Sequence, residues 1–258
     1  RRYHGEAICC SDCGPQMEIY EGLDKIECDN PIKLGADILK EGKILAIKGI
    51  GGTHLVVDAY NDKAIKELRK RLNRPNQAFA VMCKDLESLK KYAQLTSKEI
   101  NTITSNKRPI VILKKNENYP FPESLSPCLH NIGVMLPYSP MHYLLFDEGE
   151  IDTYVMTSAN IPGEPMMITN EEIINGVNDY SLVHNRKILN RCDDSVIRFR
   201  NNELSFIRRS RGYTPEPYTI NYEVNDADVL ALGPELDVTF SIARDNIVYP
   251  SQHIGNTN

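Results

Sequence analysis

Apolar and polar positions along the chain fall into short blocks of two kinds. Compact apolar runs, often β-branched, occur at Ile44–Ile47, Leu55–Ala59, Ala78–Cys83, Pro109–Leu113, Ile132–Leu136 and Tyr154–Thr157. Runs of this length and composition predict buried strands. Between them, apolar residues spaced three and four apart predict helices. Pro31–Glu41 has Asn30 as cap and Ile32, Ile38 and Leu39 on one stripe; Asp62–Leu72 has Asn61 as cap and Ile65 and Leu68 facing inward. Asp85–Tyr92, Ser97–Thr104 with Thr96 and Glu99 as a capping box, Met141–Phe146, and a turn near Glu171–Asn175 capped by Asn170 complete the helices. Leu182–His184 reads as a brief strand, and Ser195–Arg200 with Leu204–Arg209 as a hairpin around Asn201-Asn202. Strands interleaved with helices predict an α/β fold. The expected form is an open twisted mixed sheet flanked by helices, its concave surface lined by residues 48–54, 71–74, 157–160 and 208–211.

Both ends depart from this rhythm. Residues 1–30 carry Cys10-Ser11-Asp12-Cys13-Gly14-Pro15, a Cys-x-x-Cys knuckle. A structural zinc takes four ligands, usually from two such pairs. The remaining cysteines are not spaced to supply the second, so the knuckle is half of a divided zinc site or an incidental pair. After a linker at Thr214–Asn225, apolar strands restart at Val229–Leu232, Val238–Ala243 and Ile247–Tyr249. These are too few for a core of their own and are expected to open a further domain.

Candidate chemistry gathers where strands end. After Tyr154–Thr157 come Ser158, Asn160, Pro162 and Gly163. Alternate residues of an extended chain share a face, so a hydroxyl and an amide can jointly hold carbonyl or phosphate oxygens. A capped loop explains the same residues. Lys48-Gly49-Ile50-Gly51-Gly52 lacks the ending of a Walker loop, but its backbone N–H groups can approach a phosphate, or it is a flexible turn. Arg74, just before Pro75, is placed to reach an anion across a cleft, whereas Lys66, Arg69, Lys70 and Arg71 suit a helix C-terminus. Arg208, Arg209 and Arg211 are either a solvated edge or a phosphate cap.

Composition narrows the partners. The 258 residues are 41% hydrophobic and carry a formal charge of −5, which argues against nucleic acid as the main partner. No apolar run is long enough to span a membrane. Seven cysteines, odd in number and mostly scattered, point to a reducing cytoplasm.

Several stretches taken together resemble the HypF family. They are IKGIGGTHLVVDA, RPIVIL, IGVMLPYSPMHYLLF, TSANIPGEP, IRRSRGYTPEP, LALGPELDVTFSIAR and SQHIGN. TSAN-x-x-G is shared with the wider YrdC family. HypF is the carbamoyltransferase that begins cyanide-ligand synthesis for nickel–iron hydrogenases. The resemblance implies three pieces: residues 1–30 as the end of a zinc-finger region, 31–220 as a YrdC-like domain, and 221–258 as linker and start of a Kae-type transfer domain. It implies that Cys10 and Cys13 hold Zn2+ in the full-length protein. It also implies that the YrdC-like part joins carbamate, cleaved from carbamoyl phosphate, to ATP with Mg2+, giving carbamoyl-adenylate and pyrophosphate. The carbamoyl group would then pass to the C-terminal cysteine of HypE.

On this reading Lys48, Arg74, Ser158 and Asn160 act in catalysis. Lys48, Gly49, Arg71, Arg74, Thr157, Ser158, Asn160 and Arg209 contact the nucleotide. One departure stands out. YrdC-type domains carry Lys-x-Arg-Pro-x-x-Lys-Pro, whereas the run Leu72-Asn73-Arg74-Pro75-Asn76-Gln77-Ala78 is neutral at both lysine positions. Two missing charges beside a triphosphate weaken its binding unless Lys70 or Arg71 reaches over. Two other readings were weighed. One is a threonylcarbamoyl-adenylate synthase of tRNA modification, disfavoured by the Cys-x-x-Cys-Gly-Pro lead and the GPEL…SQHIG tail. The other is a nucleotide- or RNA-binding module without turnover, disfavoured by the negative charge and by the lack of interleaved aromatic and basic residues.

Overall fold

The computed structural model describes residues 14–160, 164–233 and 238–252. Strands β1 (Met17–Glu21), β2 (Asp24–Ile26), β3 (Leu45–Lys48), β4 (Thr53–Asp58), β5 (Ala80–Cys83), β6 (Ala93–Gln94) and β7 (Ile110–Lys115) belong to one mixed sheet, as do β8 (Asn131–Met135), β9 (Thr153–Ser158), β10 (Tyr180–His184), β11 (Val196–Arg200) and β12 (Glu203–Arg208). Their order is β12-β11-β7-β8-β5-β9-β4-β3-β10-β1-β2, with β6 beside β7. Parallel pairs β10–β3, β5–β8 and β11–β7 alternate with antiparallel ones. β13 (Tyr218–Leu232) and β14 (Phe240–Pro250) form a separate two-stranded ribbon.

Helices α1 (Pro31–Lys40) and α5 (Pro140–Glu148) cover one face of the sheet. There Ile32, Leu39, Leu145 and Phe146 pack on Leu45, Val56 and Tyr154. Helices α2 (Asp62–Arg71), α3 (Leu86–Lys90), α4 (Ser97–Ile103) and α6 (Asn170–Ile174) contribute Ile65, Leu68, Leu89, Ile103 and Ile173 to the core on the opposite face. Burying such an aliphatic side chain contributes about 1.5–3 kcal/mol, so each face is sealed by a modest number of contacts.

Local chemistry sets the boundaries. The Asn30 and Asn61 side chains accept the Lys33 and Ala64 amides, as the sequence predicts. Thr96 and Glu99 close a capping box on α4. Asn201 and Asn202 both take positive φ at the hairpin turn between β11 and β12, the backbone that Asn tolerates best after Gly. One expectation changes: the cap of α6 is Thr169, boxed with Glu172, rather than Asn170. Residues 17–26, within the segment that the sequence assigns to the end of a zinc-finger region, form β1 and β2 and extend the sheet through β1 on β10. Ile19 at the centre of β1 is fully buried, which explains why this segment joins the main core.

Candidate active site

The carboxyl end of β9 and the loops around it enclose a cavity of about 270 Å³. Arg74, Thr157, Ser158, Arg208, His54 and Asp194 are among its lining residues. Register brings them together: β4 and β9 pair with His54 opposite Ser158 and Leu55 opposite Thr157.

Arg74 is the centre of one wall. Its guanidinium is 8% exposed and donates to Thr157 Oγ1, to the Asn160 carbonyl and to Asn160 Oδ1, each at 3.0 Å. Ser158 Oγ donates to the same Asn160 Oδ1 at 2.6 Å. The candidates Arg74, Thr157, Ser158 and Asn160 thus form one hydrogen-bonded unit. In it Asn160 holds Arg74, and Ser158 has to rotate before it can donate to a ligand oxygen. Burial, and secondarily the Arg208 charge, disfavour the charged form of Arg74. Two guanidiniums facing one cavity repel each other, and an anion between them relieves both.

Arg69 supports this wall. From α2 it donates to the carbonyls of Arg74 and Gln77 at 2.8 Å, of Ser124 at 2.5 Å and of Leu125 at 3.1 Å. It also lies over the Phe79 ring. Sequence reasoning took it for an exposed dipole partner; it is 7% exposed and clamps the Arg74 loop.

A second charged unit, containing His54 and Asp194, also lines the cavity. Asp194 Oδ1 accepts from Arg211 Nε and Nη2 at 2.7 Å, and Oδ2 accepts from His54 Nε2 at 2.8 Å. Burial opposes ionisation of Asp194, but the Arg211 guanidinium and the His54 ring outweigh it and hold the carboxyl well below the usual carboxylate range. An ionised carboxylate only accepts, so the proton on His54 sits at Nε2. Arg211 also stacks on Tyr138 at 3.6 Å and donates to the Arg108 carbonyl.

The glycine loop packs rather than floats. A Cβ on Gly51 would lie 2.8 Å from the Cys192 carbonyl oxygen, and one on Gly52 would lie 1.9 Å from the Met166 methyl. Cys192 N donates to the Gly51 carbonyl at 2.9 Å, which ties this loop to the segment carrying Asp194.

Four candidates stand away from the cavity. Lys48 is 3% exposed, and its ammonium is held by Asn170 Oδ1 at 2.5 Å and the His184 carbonyl at 3.1 Å. Burial pushes its pKa down to about 8. Gly49 donates to the Gly52 carbonyl at 2.7 Å and is not a lining residue. Arg71 pairs with Glu67 and Asp179 and donates to the Val177 carbonyl, so it does not stand in for the missing lysines. Arg209 donates to the Glu216 carbonyl and lies near the Phe206 and Tyr218 rings. Its neighbour Arg208 lines the cavity instead, without a hydrogen bond or ion pair to any described residue. Strand alternation sends neighbours to opposite faces, so the basic run alone could not single out Arg208. Cys10 and Cys13 lie outside the described residues. No described helix is long and apolar enough to cross a membrane.

Known proteins share stretches of this sequence and its fold. Residues 37–210 match the Sua5–YciO–YrdC family, described as telomere recombination, and residues 1–20 match the HypF finger family. The chain is 50% identical to a probable carbamoyltransferase HypF of Methanocaldococcus jannaschii over 90% of its own length and 30% of that protein's. It is 38% identical to carbamoyltransferase HypF2 of Cupriavidus necator over 90% of this chain and 31% of that protein. It thus spans about a third of the curated relatives it matches. Among solved structures, T. kodakarensis HypF superposes with a TM-score of 0.90 at 48% identity, covering 96% of this chain and 32% of that one. A full-length HypF in the phosphate- and nucleotide-bound form gives 0.89 at 42% identity, over 99% of this chain and 34% of that one. P. abyssi Sua5 complexed with L-threonine shares the fold, with a TM-score of 0.62 at 19% identity over 71% of this chain and 56% of that one. The chain therefore belongs to the Sua5–YciO–YrdC family, in the form built into HypF carbamoyltransferases.

Proposed function

We propose that this chain is the adenylate-forming part of a HypF-type carbamoyltransferase, joining carbamate to the α-phosphate of ATP with release of pyrophosphate. The observation that carries the reading is the pair of guanidiniums at one cavity, Arg74 fixed by Thr157 and Asn160, and Arg208 with no hydrogen bond or ion pair to any described residue. In the reaction a carbamate oxygen attacks the α-phosphorus and the bond to the β-phosphate bridging oxygen breaks. Little covalent help is needed. The site contributes placement of the two reactants and positive charge on the phosphoryl oxygens as charge builds there. Arg74 serves as the fixed cation and Arg208 as the adjustable one. Ser158, rotated, adds a donor.

Magnesium enters with the triphosphate; among the described residues no three His, Cys, Asp or Glu side chains cluster to hold an ion. Within the longer protein, carbamoyl phosphate as the source of carbamate, HypE as acceptor, Zn2+ on Cys10 and Cys13, and a cytoplasmic setting belong to the same proposal. The HypF finger match over residues 1–20 supports the zinc part.

The test is exchange of labelled pyrophosphate into ATP. Freshly dissolved carbamate should support exchange, and threonine with bicarbonate should not. Asn160→Ala, which loosens Arg74, should slow exchange at least tenfold. An unchanged rate in the variant removes Asn160 from the site, and exchange only with threonine and bicarbonate reverses the substrate assignment.

A further inference from the structure

Asp194 is an anion placed in the wall of a cavity built to bind anions. Its side chain is 9% exposed and belongs to the lining. A carboxylate has about four lone-pair directions. Arg211 takes two on Oδ1 and His54 takes one on Oδ2. Among the described residues one acceptor direction on Oδ2 is left over. The carboxylate is held at both oxygens: Arg211 Nε and Nη2 converge on Oδ1 and His54 Nε2 holds Oδ2, and Arg211 in turn packs against Tyr138 and donates to the Arg108 carbonyl.

Charge decides which end of an acid substrate can face it. The oxygens of a carbamate carry the negative charge and are drawn to Arg74 and Arg208; near Asp194 they would be repelled. The nitrogen end carries N–H donors and no formal charge, so it matches a fixed, acceptor-only group. We propose that Asp194 is a specificity-determining residue, accepting an N–H from the nitrogen end of the one-carbon acid, with Arg211 and His54 as positioning residues that hold its carboxylate. The inference rests on the adenylation reading above and adds to it the group that tells carbamate from acids of the same size without N–H.

Two stable mimics of the acyl-adenylate separate the possibilities. N-carbamoylsulfamoyl-adenosine and N-acetylsulfamoyl-adenosine differ only in an amino or a methyl group at the acyl end. Their affinities for this chain are measured by calorimetry beside that of ATP. A hydrogen bond to a charged acceptor predicts that the wild type prefers the carbamoyl compound at least about tenfold. In Asp194→Asn the preference should fall below about threefold. Neutralising the wall shifts the affinity for ATP and for both mimics, so the ratio between the two mimics is the quantity read. Where Asp194→Asn fails to fold by circular dichroism, Arg211→Lys decides: it keeps the charge but breaks the fork, and the preference should fall at least threefold.

A wild type that does not distinguish the two compounds overturns the inference. So does a variant that weakens both alike and keeps their ratio, the signature of a purely structural anchor. If the wild type binds neither ATP nor either mimic, the adenylation reading itself fails. If ATP binds and only the ratio is flat, the reading stands without Asp194.

Discussion

Arg74 and Lys48 are both nearly inaccessible cations near the ends of neighbouring parts of one sheet, and the fold uses them differently. Arg74 spreads its charge over three protein oxygens at a cavity wall. Lys48 is sealed against Asn170 and the His184 carbonyl, away from that cavity. Sheet face does not separate them. Lys48 pairs with Thr53 across β3 and β4, and Leu55 with Thr157 across β4 and β9, so Lys48 shares a face with the threonine that holds Arg74. The difference lies in the neighbours: β3 ends beside β10 and α6, whose His184 carbonyl and Asn170 side chain take up the ammonium. A lysine beside a glycine loop resembles a phosphate ligand in one dimension; those distant partners make it an interior strut. Side-chain chemistry sharpens the contrast. A guanidinium keeps its charge and a planar fork when buried, whereas an ammonium drifts toward neutrality, as the pKa of about 8 for Lys48 indicates.

The comparison breaks most directly through Arg74. Arg74→Ala should slow pyrophosphate exchange by about 10²–10³-fold, the usual loss for a preorganised transition-state donor, while Lys48→Met stays within a few fold of wild type. Equal losses in both variants would end the distinction.

The next test uses pH. Lys48 has a folded pKa of about 8 against 10.5 for the free side chain. Between those values the unfolded chain holds a proton that the folded one has released, so this group makes stability rise with pH across that window. Below pH 8 both states are charged and the burial cost is fully present. The rise amounts to about 3 kcal/mol at most. Urea unfolding at pH 8 and pH 10 should show it in wild type, against other groups titrating in that range, and its loss in Lys48→Met.

A smaller effect is expected from Asn170→Ala. It leaves the Lys48 ammonium with the His184 carbonyl as its remaining partner and should lower stability by about 1–3 kcal/mol. Exchange activity, measured in the same preparation, should hold. Smallest is Arg209→Ala. That side chain is half-buried near Phe206 and Tyr218 and does not line the cavity; the exchange rate should remain within experimental scatter of wild type, and the thermal midpoint should fall slightly with loss of the bond to the Glu216 carbonyl. A loss comparable to that of Arg208→Ala would mean the hairpin presents the wrong arginine in this structure.

Much of the framework could be read one segment at a time. Asn30, Asn61 and the Thr96–Glu99 pair mark helix starts because a cap is a bond to an amide three residues away. Asn201-Asn202 marks a turn for the same local reason. Thr157, Ser158, Asn160 and Arg74 were legible as candidates because a strand end and an Arg-Pro step are visible in the chain. Their mutual roles were not: Asn160 proves to hold Arg74 across a sequence separation of 86 positions. The second charged unit was legible only in part: the expected lining included His54, within 48–54, and Arg211, within 208–211, but nothing in the chain pointed to Asp194. His54 and Asp194 are 140 positions apart, and neither sits in a run that marks its partner. Arg69 was hidden differently. It carries the residue type that a helix C-terminus favours, and only its burial distinguishes a loop clamp from a surface charge.

The sequence by itself determined the alternation of strands and helices, the ends of most of them, and the likeness to HypF, since these depend on residues near one another or on continuous motifs. Tertiary structure alone decided which cations share a cavity, that Arg208 rather than Arg209 lines it, and that Asp194 lines it together with Arg74. Those outcomes follow from strand register and from the pairing of distant segments, where a shift of one residue exchanges inside for outside.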